Sequence, residues 1–396
     1  MSANKYIPVG VLVNSCLIGA NAYRVVSDEA EFEHTPLEEV CDTVRQRPGH
    51  HYMRACTTLD KTELWMIPFC STPDRLLTLQ NAMEVVQGKY LGTPGFLFPF
   101  DIVEEETDDP EIRSYVDPEE EAHVISDKEG PDVGVSTAYV LRPPHRALTK
   151  PIRRFIPDAQ APRWTLAKNI FARVQQLHKM GLSSNGISRE QLRVNEQTWE
   201  IELWMNHTMR LIDAKGPDMY HQGFGTIPVK TAKKCREMGF TITPVQRDIF
   251  SCAVLAFYLI NYTHPFVGAD FATLSRDEYI PRYHYSPAYI MDPKGTNHLG
   301  NQAFDREVQF QWEKITPKLK ALFDGLFMEV TYPGSTKPSP EMFQKMAANG
   351  PVVWTEDSPW WNIDNWIEAL EADAQENDNA SSRSTYKFNN YLYRLA

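Results

Sequence analysis

The run IFSCAVLAFYLI, residues 249–260, constrains this chain more than any other stretch. It is apolar nearly all round, so a helix built from it must be enclosed on all sides. Its twelve residues are too few to span a bilayer, which takes about 20. The run is therefore expected as the central helix of a protein core, and the chain must supply helices to surround it. Two stretches can do so. RWTLAKNIFARVQQLHKMG, 163–181, puts Leu166, Ile170, Phe171, Val174 and Leu177 on one stripe. FQWEKITPKLKALFDGLFMEV, 310–330, reads as one amphipathic helix or a pair broken at Pro317.

The N-terminal part follows another pattern. IPVGVLVNSCLIGANAYRVVS, 7–27, and TTLDKTELWMIPFC, 57–70, are rich in strand-forming residues and suggest two hairpins. STPDRLLTLQNAMEVVQG, 71–88, reads as a helix capped by Ser71 or Thr72, with Pro73 in its first turn and Gly88 as its stop. Residues 101–121 hold eleven acidic side chains against one Arg, a composition expected of a solvated insertion. VGVSTAYVLRPPHRAL, 133–148, is a strand ended by Pro143 and Pro144. Short strands are expected within WEIELWM, 199–205, and MRLID, 209–213. Four tryptophans between 354 and 366 are expected to pack back on the body, followed by a polar linker over 374–385.

A net charge of −12 disfavours a nucleic-acid partner. Six scattered cysteines without a CxxC pair read as free thiols. The N-terminal MSANKYIPVGVLV lacks the basic and apolar regions of a signal peptide. A cytoplasmic protein without a membrane segment is expected.

Strands, one helix, more strands, then a helical half opening with helix–loop–strand–strand: this order resembles the protein-kinase fold over residues 8–348. The strongest local match is RDIFSCAVLAFYLINYTHPFVG, 247–268, which is similar to the central C-lobe helix of that family. Its Asp248 stands where the family's Asp accepts backbone N–H groups of the catalytic loop. PAYIMDPKGTNHLG, 287–300, and KPSPEMF, 337–343, resemble bacterial Ser/Thr kinase-like proteins of tellurium-resistance-type operons. That resemblance implies an α+β bilobal fold: an N-lobe over 1–142 carrying the acidic insertion 101–121, a C-lobe over 143–348, and an extension over 349–396. It also implies protein partners, namely a PP2C-type phosphatase and a von Willebrand A-type protein.

Phosphoryl transfer needs a phosphate cradle, a Lys on the phosphates, metal ions held by carboxylate and amide, and a base that orients the nucleophile. Aligned on the family, LHKMGLSSNGISREQLRVN, 177–195, puts Gly186 at the catalytic Asp and Gln191 at the metal-binding Asn, beside Ser184, Asn185 and Glu190. Glycine has no side chain to accept a proton. The glycine-rich loop falls at LIGANAYRVV, 17–26, with Gly19 alone remaining; a plain hairpin glycine would look the same. Met66 takes the place of the phosphate Lys, with Lys61 outside that register. Asp213 in LIDAK, 211–215, resembles the Asp that holds Mg²⁺, or is a turn-capping Asp, with Lys215 beside it. The expected function is a pseudokinase, a binding or regulatory module that retains ATP and Mg²⁺ or dispenses with them. The alternative is an active atypical ATP-dependent kinase or nucleotidyl transferase with Asp213 as metal ligand, aided by Glu190 or Gln191 and by Lys61 or Lys215.

Overall fold

Strand-forming runs near the N-terminus close on themselves, and helices predominate among the described residues that follow. The computed structural model describes residues 12–15, 19–27, 53–57, 63–71, 73–104, 135–141, 149–152, 161–206, 208–214, 225–300, 303–333 and 358–378. In chain order, β1 (Leu12–Ser15), β2 (Gly19–Ser27), β3 (Met53–Thr57) and β4 (Glu63–Ser71) lead into α1 (Pro73–Lys89). Then come β5 (Phe96–Leu97), β6 (Asp101–Glu104) and β7 (Val135–Leu141). Six of these strands form a closed antiparallel barrel in the order β1-β2-β3-β4-β7-β6. Closure leaves the barrel no open edge for another chain to pair with.

Two expectations change here. Residues 101–104 belong to the barrel as β6, paired with β1 and β7, so the acidic run does not begin as an insertion. The side chain of Asp101 is fully buried, and its Oδ1 accepts the Ile102 N–H at 2.8 Å. Alternation decided the matter: the run's first residues, Asp-Ile-Val-Glu, carry two apolar side chains that charge counting ignores. Helix α1 also continues past Gly88 to Lys89, and the positive φ of 88° falls on Gly92.

Next come β8 (Thr149–Pro151), α2 (Arg163–Lys179), β9 (Leu182–Ser183), β10 (Leu192–Asn195), β11 (Ile201–Trp204) and β12 (Arg210–Leu211). β10 and β11 form a hairpin, β8 pairs with β10, and β5 reaches over to run parallel with β11. Helices α3 (Val229–Glu237), α4 (Pro244–Asn261), α5 (Arg276–Tyr285), α6 (Ala303–Lys314), α7 (Pro317–Thr331) and α8 (Ile363–Asn377) complete the order. Among the described residues no helix is long and apolar enough to cross a membrane.

The apolar run lies in α4, buried almost throughout. Its start is fixed by a reciprocal cap: the Gln246 N–H donates to Thr243 Oγ1 and the Thr243 N–H to Gln246 Oε1, with Pro244 in the first turn. Phe257 of α4 meets Phe323 and Phe327 of α7 edge-on, with ring centroids 5.3 and 5.7 Å apart. Such edge-to-face pairs add to the burial they already represent. Pro317 separates α6 from α7, and Thr316 caps the second.

The Trp-rich segment packs on this core. Trp366 of α8 is fully buried, stacked on Phe171 of α2 at 5.1 Å and edge-on to Phe323 of α7 at 5.1 Å. Trp360 lies over Gly325, where an added Cβ would come within 2.2 Å of the indole. Helix α8 continues to Asn377, so residues 374–377 of the expected linker are helical. Acidic side chains from this stretch complete helix ends elsewhere. Asp378 accepts the N–H groups of Trp164 and Thr165 at 3.3 and 2.8 Å, capping α2, which has Pro162 at its own cap position. Asp373 accepts the Thr316 N–H and hydroxyl, both at 3.0 Å, at the start of α7.

Glu329 of α7 is buried beneath the same segment, and the Trp360 indole N–H donates to its Oε2. Burial pushes its carboxyl from an ordinary 4.5 up to about 8, partly offset by that donor. The folded chain thus keeps a proton that the unfolded chain has lost, and this contribution is complete below about 4.5 and disappears as pH rises through about 8. Asp324 acts in the same sense, raised by burial to about 7. Melting temperature is expected to fall between these pH values, and Glu329→Gln should flatten the fall without abolishing it. Melting curves from pH 4.5 to 8 check this; an unchanged slope in the variant refutes it.

Candidate functional site

The segment between α2 and β10 is built around one carboxylate. Gly181, at φ 79°, turns the chain out of α2 into β9. The backbone then wraps Asp248 of α4. Asp248 Oδ2 accepts the Ser183 hydroxyl at 2.7 Å and the Ser184 N–H at 3.1 Å, while Oδ1 accepts the Gly186 N–H at 2.7 Å. His178 Nε2 lies 3.0 Å from Oδ2. Asp248 is wholly buried in the second turn of its helix, whose cap is Thr243. A carboxylate inside a protein needs such donors to offset lost hydration. The Ile187 N–H donates to Ser251 Oγ at 2.7 Å, extending the anchor one turn along α4.

At the loop's tip Asn185 takes φ 61° and Gly186 φ 108°. An Asn tolerates the left-handed region, whereas the Gly186 angle disfavours any side chain. Space is not the obstacle, because an added Cβ would find nothing nearer than Thr226 Cγ2 at 4.0 Å. Backbone conformation alone excludes it. Gly186→Ala is therefore expected to cost about 1–3 kcal/mol, measured by urea denaturation, and a neutral substitution would refute the strain.

Gln191 closes the loop from the other side. Its Oε1 accepts the Ser188 N–H at 2.9 Å, and its Nε2 donates to Ser184 Oγ at 3.0 Å and to the Trp204 carbonyl at 3.3 Å. Both ends of this buried amide hold the loop in shape. Glu190 contributes backbone to the short 3₁₀ turn Arg189–Gln191.

Asp213 lies elsewhere. β12 pairs antiparallel with β9, Arg210 opposite Ser183 and Leu211 opposite Leu182, and the Ile212 N–H donates to the Gly181 carbonyl at 3.0 Å. Following the chain to Asp213 therefore leads back toward the end of α2 and away from Gly186, to an exposed position. Residues leaving β11 take the place nearest the loop, and sequence reasoning missed them. Met205 is buried, and the Thr208 hydroxyl lies 2.7 Å from the Ser184 carbonyl and 2.5 Å from Asn206 Oδ1. The alternation in LRVN and IELW around a polar turn was the signal for this hairpin.

Gly19 opens β2 opposite Ser15 of β1. In the barrel, β4 is neighboured by β3 and β7, so the β1–β2 connection is not the one beside it. Met66 of β4 pairs with Met53 and Val140. Glu84 is exposed on α1 and makes no ion pair among the described residues. Lys61 and Lys215 lie outside the described residues. Among those described, no three His, Cys, Asp or Glu side chains converge to hold a metal. The Gln191 amide, bonded at both ends, the apolar Met205 and the exposed Asp213 beyond the β9–β12 pairing do not fit a Mg²⁺–nucleotide group.

No family model and no curated protein matches the chain. Among solved structures it is similar to a rhoptry kinase from Toxoplasma gondii, at 12% identity and TM-score 0.39 over 85% of this chain and 79% of that one. It is also similar to a Toxoplasma gondii specific rhoptry antigen kinase domain, at 12% identity and TM-score 0.36 over 69% and 81%. The fold is α+β, with a β-rich first part carrying α1 and a helical second part around α4.

Proposed function

We propose that this chain is a pseudokinase, a kinase-shaped binding or regulatory module that does not transfer phosphate. The observation that carries the reading is position 186: a glycine at φ 108° whose N–H is committed to Asp248 and which offers no proton acceptor. The loop keeps its architecture and lacks its reacting group. Contacts with a partner fall to surfaces such as α3, where Lys230, Lys233, Lys234 and Arg236 are exposed and suit an acidic protein segment. The phosphatase and von Willebrand A-type proteins suggested by the sequence remain candidates for that partner.

Labelled ATP with Mg²⁺ and a generic acceptor protein tests the reading. No transfer above background is expected from the wild-type chain. Transfer that is lost in Asp213→Ala overturns the proposal in favour of an atypical phosphotransferase.

A further inference from the structure

A cavity of about 590 Å³ opens away from the loop, between the turn that follows α1 and the faces of α2 and β11. That is the size of a small-molecule site, about 300–1,000 Å³. Its walls carry two cations, Arg173 and Lys179, two carboxylates, Glu200 and Glu202, and the side chains of Tyr90 and Met180.

The guanidinium of Arg173 is held rigidly. Nε donates to the Ile201 carbonyl at 2.7 Å; Nη1 donates to the Pro94 carbonyl at 3.2 Å and to Gln176 Oε1 at 2.7 Å. The Phe96 ring lies beneath it, with its centroid 5.0 Å away. Gly95, at φ 82°, makes room for this group, since a Cβ there would sit 2.1 Å from Cζ. These bonds use Nε and Nη1. The Nη2 edge makes no hydrogen bond among the described residues.

The carboxylates do not close on it. Glu200 and Glu202 are near enough to act on the Arg173 charge, which burial otherwise disfavours. Yet no ion pair joins them to it. Glu202 Oε1 instead accepts the Trp204 indole N–H, and Glu200 Oε2 accepts the Thr198 hydroxyl at 3.3 Å. The cavity wall thus carries opposite charges that no ion pair joins. A simple anion also meets the glutamates, a simple cation also meets Arg173 and Lys179, and a molecule bearing both charges finds a complementary group for each.

We propose that this cavity binds a zwitterionic small molecule of the amino-acid class, a free amino acid or dipeptide, with its carboxylate on the Arg173 Nη2 edge and its ammonium toward Glu200 and Glu202. An occupant would join the 90–95 turn to α2 and β11 beside the β5–β11 pairing, where the β-rich part meets the helical part.

Titration calorimetry on the full chain tests the site with glycine, L-arginine, L-glutamate and glycylglycine, and with acetate and methylammonium as singly charged controls. At least one zwitterion is expected to saturate below about 10 mM, with the controls inert, and the Glu200→Gln/Glu202→Gln double variant should weaken binding about tenfold or more. Wild-type melting behaviour of that variant guards against misfolding, and Arg173→Lys, which keeps the charge but loses the fork, should weaken binding as well. Absence of saturation by any zwitterion, equal binding of acetate, or affinity unchanged in the double variant overturns the proposal.

Discussion

Replacing Trp366 by alanine is expected to lower the unfolding free energy by about 3–5 kcal/mol, the range for removing a large aromatic from a packed core. The indole is wholly buried between Phe171 and Phe323, and its N–H donates to the Trp360 carbonyl at 2.8 Å. Deleting it therefore opens a cavity between α2 and α7 and leaves a buried carbonyl without its donor. Trp366→Phe keeps a ring in the slot and should cost markedly less. Urea denaturation compares the three chains. A loss below about 1 kcal/mol for alanine would mean that α8 is only laid against the body.

Asp248→Ala is expected to destabilise by about 3 kcal/mol or more, by a different route. Ser183, Ser184 and Gly186 would keep their donors with nothing to accept them, and each unsatisfied buried donor costs about 1–3 kcal/mol. Asp248→Asn keeps the shape and one acceptor oxygen, so it should lie between wild type and alanine. Amide exchange separates this effect from global loosening: Ser184 and Gly186 should lose protection before the α4 backbone does. Equal loss throughout would refute the role of Asp248 as the loop's anchor.

Much of the helical half was legible because its signals are local. The all-apolar run 249–260 could only be enclosed, Pro317 marked where a helix pair would divide, and Asp248 stood at the position the resemblance assigns to a loop anchor. Clustered tryptophans likewise announced a buried segment, although nothing in their spacing told that Asp373 and Asp378 would cap other helices. Those contacts join residues 57 and 213 positions apart, a relation no window along the chain contains. The site was harder to read, since its assignment depended on strand pairing. LIDAK looked like a strand end beside the loop. Pairing of β12 with β9 carries Asp213 away, and Met205 and Asn206 follow β11 in its place. Gln191 looked like a substitute ligand, and its geometry makes it a brace. Residue type suggests chemistry, but the spare lone pairs of an amide are decided by its neighbours.

The two capping aspartates of the last helix have a metric consequence. They are five positions apart in the sequence, about 7.5 Å of helical rise, and each engages the beginning of a different rod of the body. Spacing and phase must both match. One residue inserted between them would swing the second carboxylate round the axis by about 100° and strand one of the two N-termini. Substitution can be absorbed along this stretch, but a change of length cannot: it serves as a gauge that sets how far apart α2 and α7 begin.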